Sequence, residues 1–131
     1  MLFDYIKIYH KLLFVDSENV GYALPHSVPS DTFVYLFIRQ RQILRKINDS
    51  YQNVKIIDLS DQDYQSYKNM MDFCLIAQLS LLIQQISKKQ KMIILSKDKG
   101  YDNAIIFLLK QYPQYDIKRY PLTILQYFDY V

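Results

Sequence analysis

Short apolar runs alternating with stretches of helical spacing predict an α/β fold, a three-layer α/β/α arrangement around a mostly parallel sheet of about five strands. Two observations carry that expectation. Five runs rich in Val, Ile, Leu, Phe and Tyr are bounded by polar or proline-containing segments, as strands buried on both faces are. After the second run and each later one, apolar residues recur at the spacing of one helix face. A chain of 131 residues sits near the commonest domain size, so residues 1–131 are expected to form one domain.

The elements follow in order. Residues 12–15, LLFV, read as a buried strand that breaks into Asp16. Residues 21–31 hold Pro25 and Pro29 and read as a loop, or as a helix broken by prolines. Residues 32–39, TFVYLFIR, are β-branched and aromatic and form a second strand. Ile43, Leu44 and Ile47 then fall at helical spacing. Residues 54–59, VKIIDL, make a third strand, and the polar run 60–67 a loop. Residues 68–86 form a long helix, apolar on most of its circumference, which calls for cover on several sides or for a second copy of the chain. A fourth strand spans 91–96, KMIILS. The helix after it stops before Pro113. YDIKRY is a short fifth strand, and Pro121 opens a final short helix.

Composition narrows the classes. Half the residues are hydrophobic, which argues for a packed globule rather than disorder. Abundant Tyr, Lys, Ile, Asn and Gln with no Trp point to an AT-rich coding genome of bacterial or phage type. A formal charge of +3 permits a nucleic-acid partner without requiring one. Cys74 is the only cysteine, so no intrachain disulfide forms. With no signal-peptide pattern and no apolar run long enough to span a bilayer, the expected location is the cytoplasm.

Sites in open α/β sheets lie beyond the carboxyl ends of strands. Asp16 ends the first strand, Asp98 lies just past the fourth, and Asp102 begins the helix after it. If the first and fourth strands are neighbours, Asp16 and Asp98 meet. Asp72 interrupts the most apolar helix, where a charge is costly unless paired or metal-bound. Asn69 is placed to cap that helix, which puts Asp72 in its first turn and in the favourable end of its dipole. Carboxylates that converge repel one another, and hard divalent cations, Mg²⁺ or Mn²⁺, relieve the repulsion. Such a centre activates water and stabilises charge on a phosphoryl group, so the chemistry expected is phosphodiester hydrolysis. Each acid also has an ordinary reading, as strand-end turn chemistry for Asp16 and as helix N-terminal acids for Asp72 and Asp102. Asp58, Asp61 and Asp63 read as loop residues.

The segments FVDSENVG, NMMDF and ILSKDKGYD together resemble the PIN-like nucleases, in particular bacterial PIN-like domains near the NYN group. The resemblance spans residues 12–109, and it is loose between Gly21 and Asp72. It implies metal-dependent cleavage of RNA more than of DNA. It makes Asp16, Asp72 and Asp98 the metal ligands and Asp102 a fourth catalytic acid. Asn19 would orient a metal-bound water or a phosphate, Ser96 would hydrogen-bond beside Asp98, and Glu18 would support the site from behind. Relatives often act beside an antitoxin, which makes a partner protein an expectation here, and some have lost activity.

Lys97 and Lys99 flank Asp98 and suit contacts with phosphates. Further basic residues, among them Lys88, Lys89, Arg39 and Arg41, could extend that edge or simply be solvated. Tyr22 and Tyr101, next to the two glycines, could stack on unpaired bases, although Tyr101 fits better as core beneath the site. The glycines themselves, Gly21 and Gly100, suit backbone that other residues resist. The apolar helix and the aromatic tail YFDYV offer surfaces for a homodimer. Two other readings remain: a catalytically silent module of the same fold that binds RNA or a protein, and a receiver- or phosphatase-like domain. Lys118 inside its strand and the order Asp16-Ser17-Glu18 fit the last poorly.

Overall fold

The computed structural model describes residues 4–47, 50–61 and 69–130. After a 3₁₀ turn at Asp4–Ile8, the chain enters β1 (Lys11–Asp16), turns through the short α1 (Ser17–Val20) and crosses a loop to β2 (Thr32–Ile38). One helical turn, α2 (Arg41–Leu44), precedes β3 (Val54–Asp58). The long α3 (Met70–Ile83) leads to β4 (Lys91–Leu95), then α4 (Gly100–Gln111), β5 (Asp116–Tyr120) and α5 (Ile124–Tyr130). The five strands form one sheet in the order β3-β2-β1-β4-β5, and every pairing is parallel.

Parallel strands need crossovers that cover the sheet on both faces, and the sequence supplies the apolar side chains for both. Successive strand residues point to opposite faces. Leu12 and Phe14 of β1 join Phe33, Tyr35 and Phe37 of β2 and Met92 and Ile94 of β4 under α3 and α4. Leu13, Val15, Val34, Leu36, Ile93 and Leu95 join Val20, Ile124 and Tyr127 on the other face. β2 is buried along its whole length, which is why it reads as an unbroken apolar run instead of an alternating one. β3, at the edge, is only half buried.

The chain runs outward from β1 through β2 to β3, then returns over the sheet to place β4 on the other side of β1. Loops at the carboxyl ends of β1 and β4 therefore diverge, and the crevice between them is where such sheets bind ligands. The adjacency expected of the first and fourth strands holds, with Val15 in register with Leu95.

Several elements differ in extent from the expectation. The apolar spacing at Ile43, Leu44 and Ile47 yields only one turn of α2, and its last residues pack as irregular chain against the second core. Residues 21–31 form a loop, as their prolines require. Most of the expected polar loop at 60–67, and Lys68 at the start of the expected long helix, lie outside the described residues. Although α3 is apolar nearly all round, it buries one stripe, Met71, Leu75, Leu79 and Leu82, and leaves Phe73 and Leu81 outward. Among the described residues no helix is long and apolar enough to cross a membrane.

Candidate active site

Parity along β1 decides where Asp16 points. Leu12 and Phe14 face α3 and α4, so Asp16, two residues further, faces them too, at the last position of the strand. On β4, Met92 and Ile94 set the same phase and Ser96 continues it just past the strand end. Asp72 occupies the first turn of α3, and Tyr101 the first turn of α4. Four separate elements thus deliver polar side chains to one point above the β1–β4 junction.

Asp16 is only 1 % exposed. Its Oδ2 accepts three hydrogen bonds: from Asn19 Nδ2 at 3.2 Å, Ser96 Oγ at 3.2 Å and the Tyr101 hydroxyl at 3.1 Å. Its Oδ1 is equally buried and has no hydrogen-bond partner among the described residues. A bare carboxylate oxygen shut away from water is costly, and the deficit is one that a cation would remove.

The Tyr101 hydroxyl also stands 3.1 Å from Asp72 Oδ1. Burial and the two carboxylates push this phenol far above its ordinary value, so it keeps its proton. It has one hydrogen, however, and two carboxylates claim it. One of them meets the oxygen's lone pair instead, unless it carries a proton itself. Asp72 holds a proton more firmly than an ordinary carboxyl does. Burial holds its carboxyl above the ordinary range, the charges of Asp98 and Asp16 add to the rise, and the Tyr101 hydrogen bond opposes it.

Asp98 and Asp102 are arranged differently. The Asp98 backbone N–H donates to Ser96 Oγ at 3.0 Å, and the Gly100 N–H donates to Asp98 Oδ1 at 2.8 Å. Ser96 thereby joins Asp16 to the Asp98 loop. Asp102 is held by Arg119, whose Nε donates to Oδ1 at 2.8 Å and Nη2 to Oδ2 at 3.1 Å, while Nη1 donates to the Ser96 carbonyl at 3.0 Å. Those bonds hold the Asp102 carboxyl below the ordinary carboxylate range. Of the four expected acids, the structure brings Asp16 and Asp72 to one hydroxyl, sets Asp98 close enough for its charge to act on Asp72, and turns Asp102 to an arginine.

Glu18 is paired with Arg39 at the end of β2, 3.3 Å away. Lys97 and Lys99 are exposed beside the site. Tyr22 packs against the second core, away from the acids. Gly21 has φ 80° and ψ −174°, a backbone that in practice only glycine adopts. Gly100 matters for a different reason: a Cβ there would lie 3.0 Å from Asp98 Oδ1. Asn69 stands at the cap position of α3 in the left-handed region, φ 65°, with no side-chain capping bond.

Two site residues escaped the sequence reading. Arg119 lies within a short strand, and because Ile117 faces the first core, Arg119 faces the same side at the carboxyl end of β5. That phase was the available signal. Tyr101 is core, as its position suggested, but its hydroxyl links two acids, and nothing in a single sequence places a phenol oxygen between two distant carboxylates.

Among the described residues no three Asp, Glu, His or Cys side chains converge as a finished metal cage. The donor set, carboxylate oxygens, nonetheless has the chemistry of a hard divalent cation site. Hard ions of this kind bind through one or two carboxylates, keep several waters and take further oxygens from a phosphate. Asp16, whose Oδ1 is bare among the described residues, and Asp72, across the Tyr101 hydroxyl from Asp16 Oδ2, are donors of that kind.

The sequence model of the PIN domain matches residues 10–114. No curated protein and no solved structure matches the chain.

Proposed function

The chain belongs to the PIN domain family, whose members are in general nucleases, and on that premise we propose that it is a metal-dependent ribonuclease hydrolysing phosphodiester bonds at the β1–β4 crevice. One observation carries the reading. Asp16 is buried with an unpartnered oxygen, next to Asp72 across a shared hydroxyl, at the switch point of the sheet.

Asp16 and Asp72 would hold a Mg²⁺ or Mn²⁺ ion, with Asp98 contributing directly or through water. When bound, that ion supplies Lewis acidity toward a phosphate oxygen and lowers the pKa of a water. The chain's own residues have distinct tasks. Asn19, Ser96 and Tyr101 fix Asp16 by bonding one oxygen, and the other would be left to a cation. Tyr101 bridges to Asp72 and sets the separation of the two acids. Arg119 neutralises Asp102 and, through the Ser96 carbonyl, braces the β4 end against the α4 start. Asp102 then acts by positioning, and Lys97 and Lys99 draw phosphates to the rim.

The test is cleavage of a labelled single-stranded RNA with Mn²⁺ or Mg²⁺, by wild type and by Asp16→Asn. The wild type should cut, chelation should stop it, and the variant should lose all but a trace of the rate. Equal decay by the two proteins, in preparations free of contaminating ribonuclease, would remove the assignment. A wild type that binds RNA and never cuts it would make the chain a silent binding module.

A further inference from the structure

A cleft of about 480 Å³ is lined by residues of α3 and just before it and by residues of α4, Asp72 among them. Phe73, Ile76, Ala77, Tyr101, Ala104 and Asn69 also line it. Phe73 is 65 % exposed although aromatic, and it stands immediately after the acid in the chain. We propose that this cleft is a subsite for an unpaired nucleobase, stacked on Phe73 and read at its edge by the Asn69 amide.

Resting on the nuclease reading, the inference adds where the base adjoining the held phosphate goes. Three observations favour this occupant. None of the described residues lining the cleft is positively charged, so it is unsuited to a phosphate, which belongs at the acids and their lysine rim. Phe73, Ile76, Ala77 and Ala104 give the lining an apolar stretch and Asn69 adds an amide, the chemistry that a base presents in reverse: a π-face and a hydrogen-bonding edge. The cleft is continuous with the site, because Asp72 and Tyr101 belong to both. A strand whose phosphate meets Asp72 has a neighbouring base beside a cleft that Phe73 also lines. Asn69 is suited to the edge contact because its left-handed backbone leaves the side chain out of the usual capping bond.

The chain has no tryptophan, so Phe73→Trp creates a lone reporter. In an Asp16→Asn background the strand should stay intact, and its binding is followed by anisotropy of an end-labelled RNA. Tryptophan emission should fall as the RNA binds and stay unchanged with a strand of the same backbone lacking bases. Separately, Phe73→Ala should weaken RNA binding by about tenfold, the scale of one lost stacking contact, and leave the base-free strand unaffected. Binding by anisotropy with neither quenching nor an effect of Phe73→Ala would overturn the subsite and leave the nuclease reading standing. So would base-free RNA bound as tightly as the complete strand, which would leave the cleft to an apolar segment of a protein partner. A wild type that neither binds nor cuts any strand would overturn both.

Discussion

Replacing Asp72 by Asn should reverse the order of stability depending on whether a divalent ion is present. Asp72 Oδ1 and Asp16 Oδ2 each lie 3.1 Å from the same hydroxyl, so they are no more than twice that distance apart. Two unit charges about 6 Å apart repel by about 2.7 kcal/mol at an effective dielectric of about 20, and by about 0.7 kcal/mol in water. Asp72 is half buried, which places its repulsion between those limits, at about 1–2 kcal/mol. Burial first, and then the charges of Asp98 and Asp16, raise its proton affinity. Asn keeps the acceptor for Tyr101 and removes the charge. In EDTA at neutral pH, Asp72→Asn should therefore melt above wild type by about 4–8 °C, at about 4 °C for each kcal/mol in a domain of this size. Addition of Mn²⁺ at about a hundred times its dissociation constant should stabilise wild type by about 2.7 kcal/mol, or about 10 °C. The variant, lacking one of the two carboxylates, should gain little, and the melting curves should exchange places. Thermal scans by circular dichroism in EDTA and in Mn²⁺ decide it. A variant less stable than wild type in EDTA, or one that gains as much from Mn²⁺, would refute the view that these acids repel in the empty site and attract one ion together.

Three further outcomes follow from the same contacts. The Arg119 bonds hold the Asp102 carboxyl below its ordinary value, so their contribution is present above that value and disappears as the pH falls through the lowered one. Asp102→Asn should thus lose about 1 kcal/mol at pH 6 and converge with wild type in strong acid, read from urea midpoints. Gly100→Ala should leave the melting temperature nearly unchanged and slow cleavage, because its methyl would press on Asp98 Oδ1; unaltered cleavage would mean that the placement of Asp98 does not matter. Gly21→Ala should do the reverse, costing about 1–3 kcal/mol of stability through its backbone angles, with cleavage retained at low temperature.

Much of the fold could be read from local pattern because the strands are buried on both faces. TFVYLFI and KMIIL are apolar without alternation, and that property survives in one dimension. Parallel pairing then follows from the helices between them, whereas the adjacency of β1 and β4, a condition in the sequence reading, comes from the sheet order. Asp16 and Asp72 stood out for a related reason, as charges interrupting apolar runs. Less could be read where the deciding contact joins distant segments. The phenol of Tyr101 is separated from Asp16 by 85 residues and from Asp72 by 29. Asp102 looked like a further acid for the centre, and only the pairing of β4 with β5 shows that Arg119 reaches it. The single turn of α2 illustrates the converse: Ile43, Leu44 and Ile47 satisfy the second core without a continuing helix, so periodicity overstated the element.

The most direct test is anomalous diffraction from a crystal of the wild-type protein soaked in Mn²⁺. A peak within bonding distance of Asp16 Oδ1 and on the same side as Asp72 is the predicted result. Well-ordered carboxylates with no peak between them, in a preparation that cleaves RNA, would show that the chemistry takes place elsewhere.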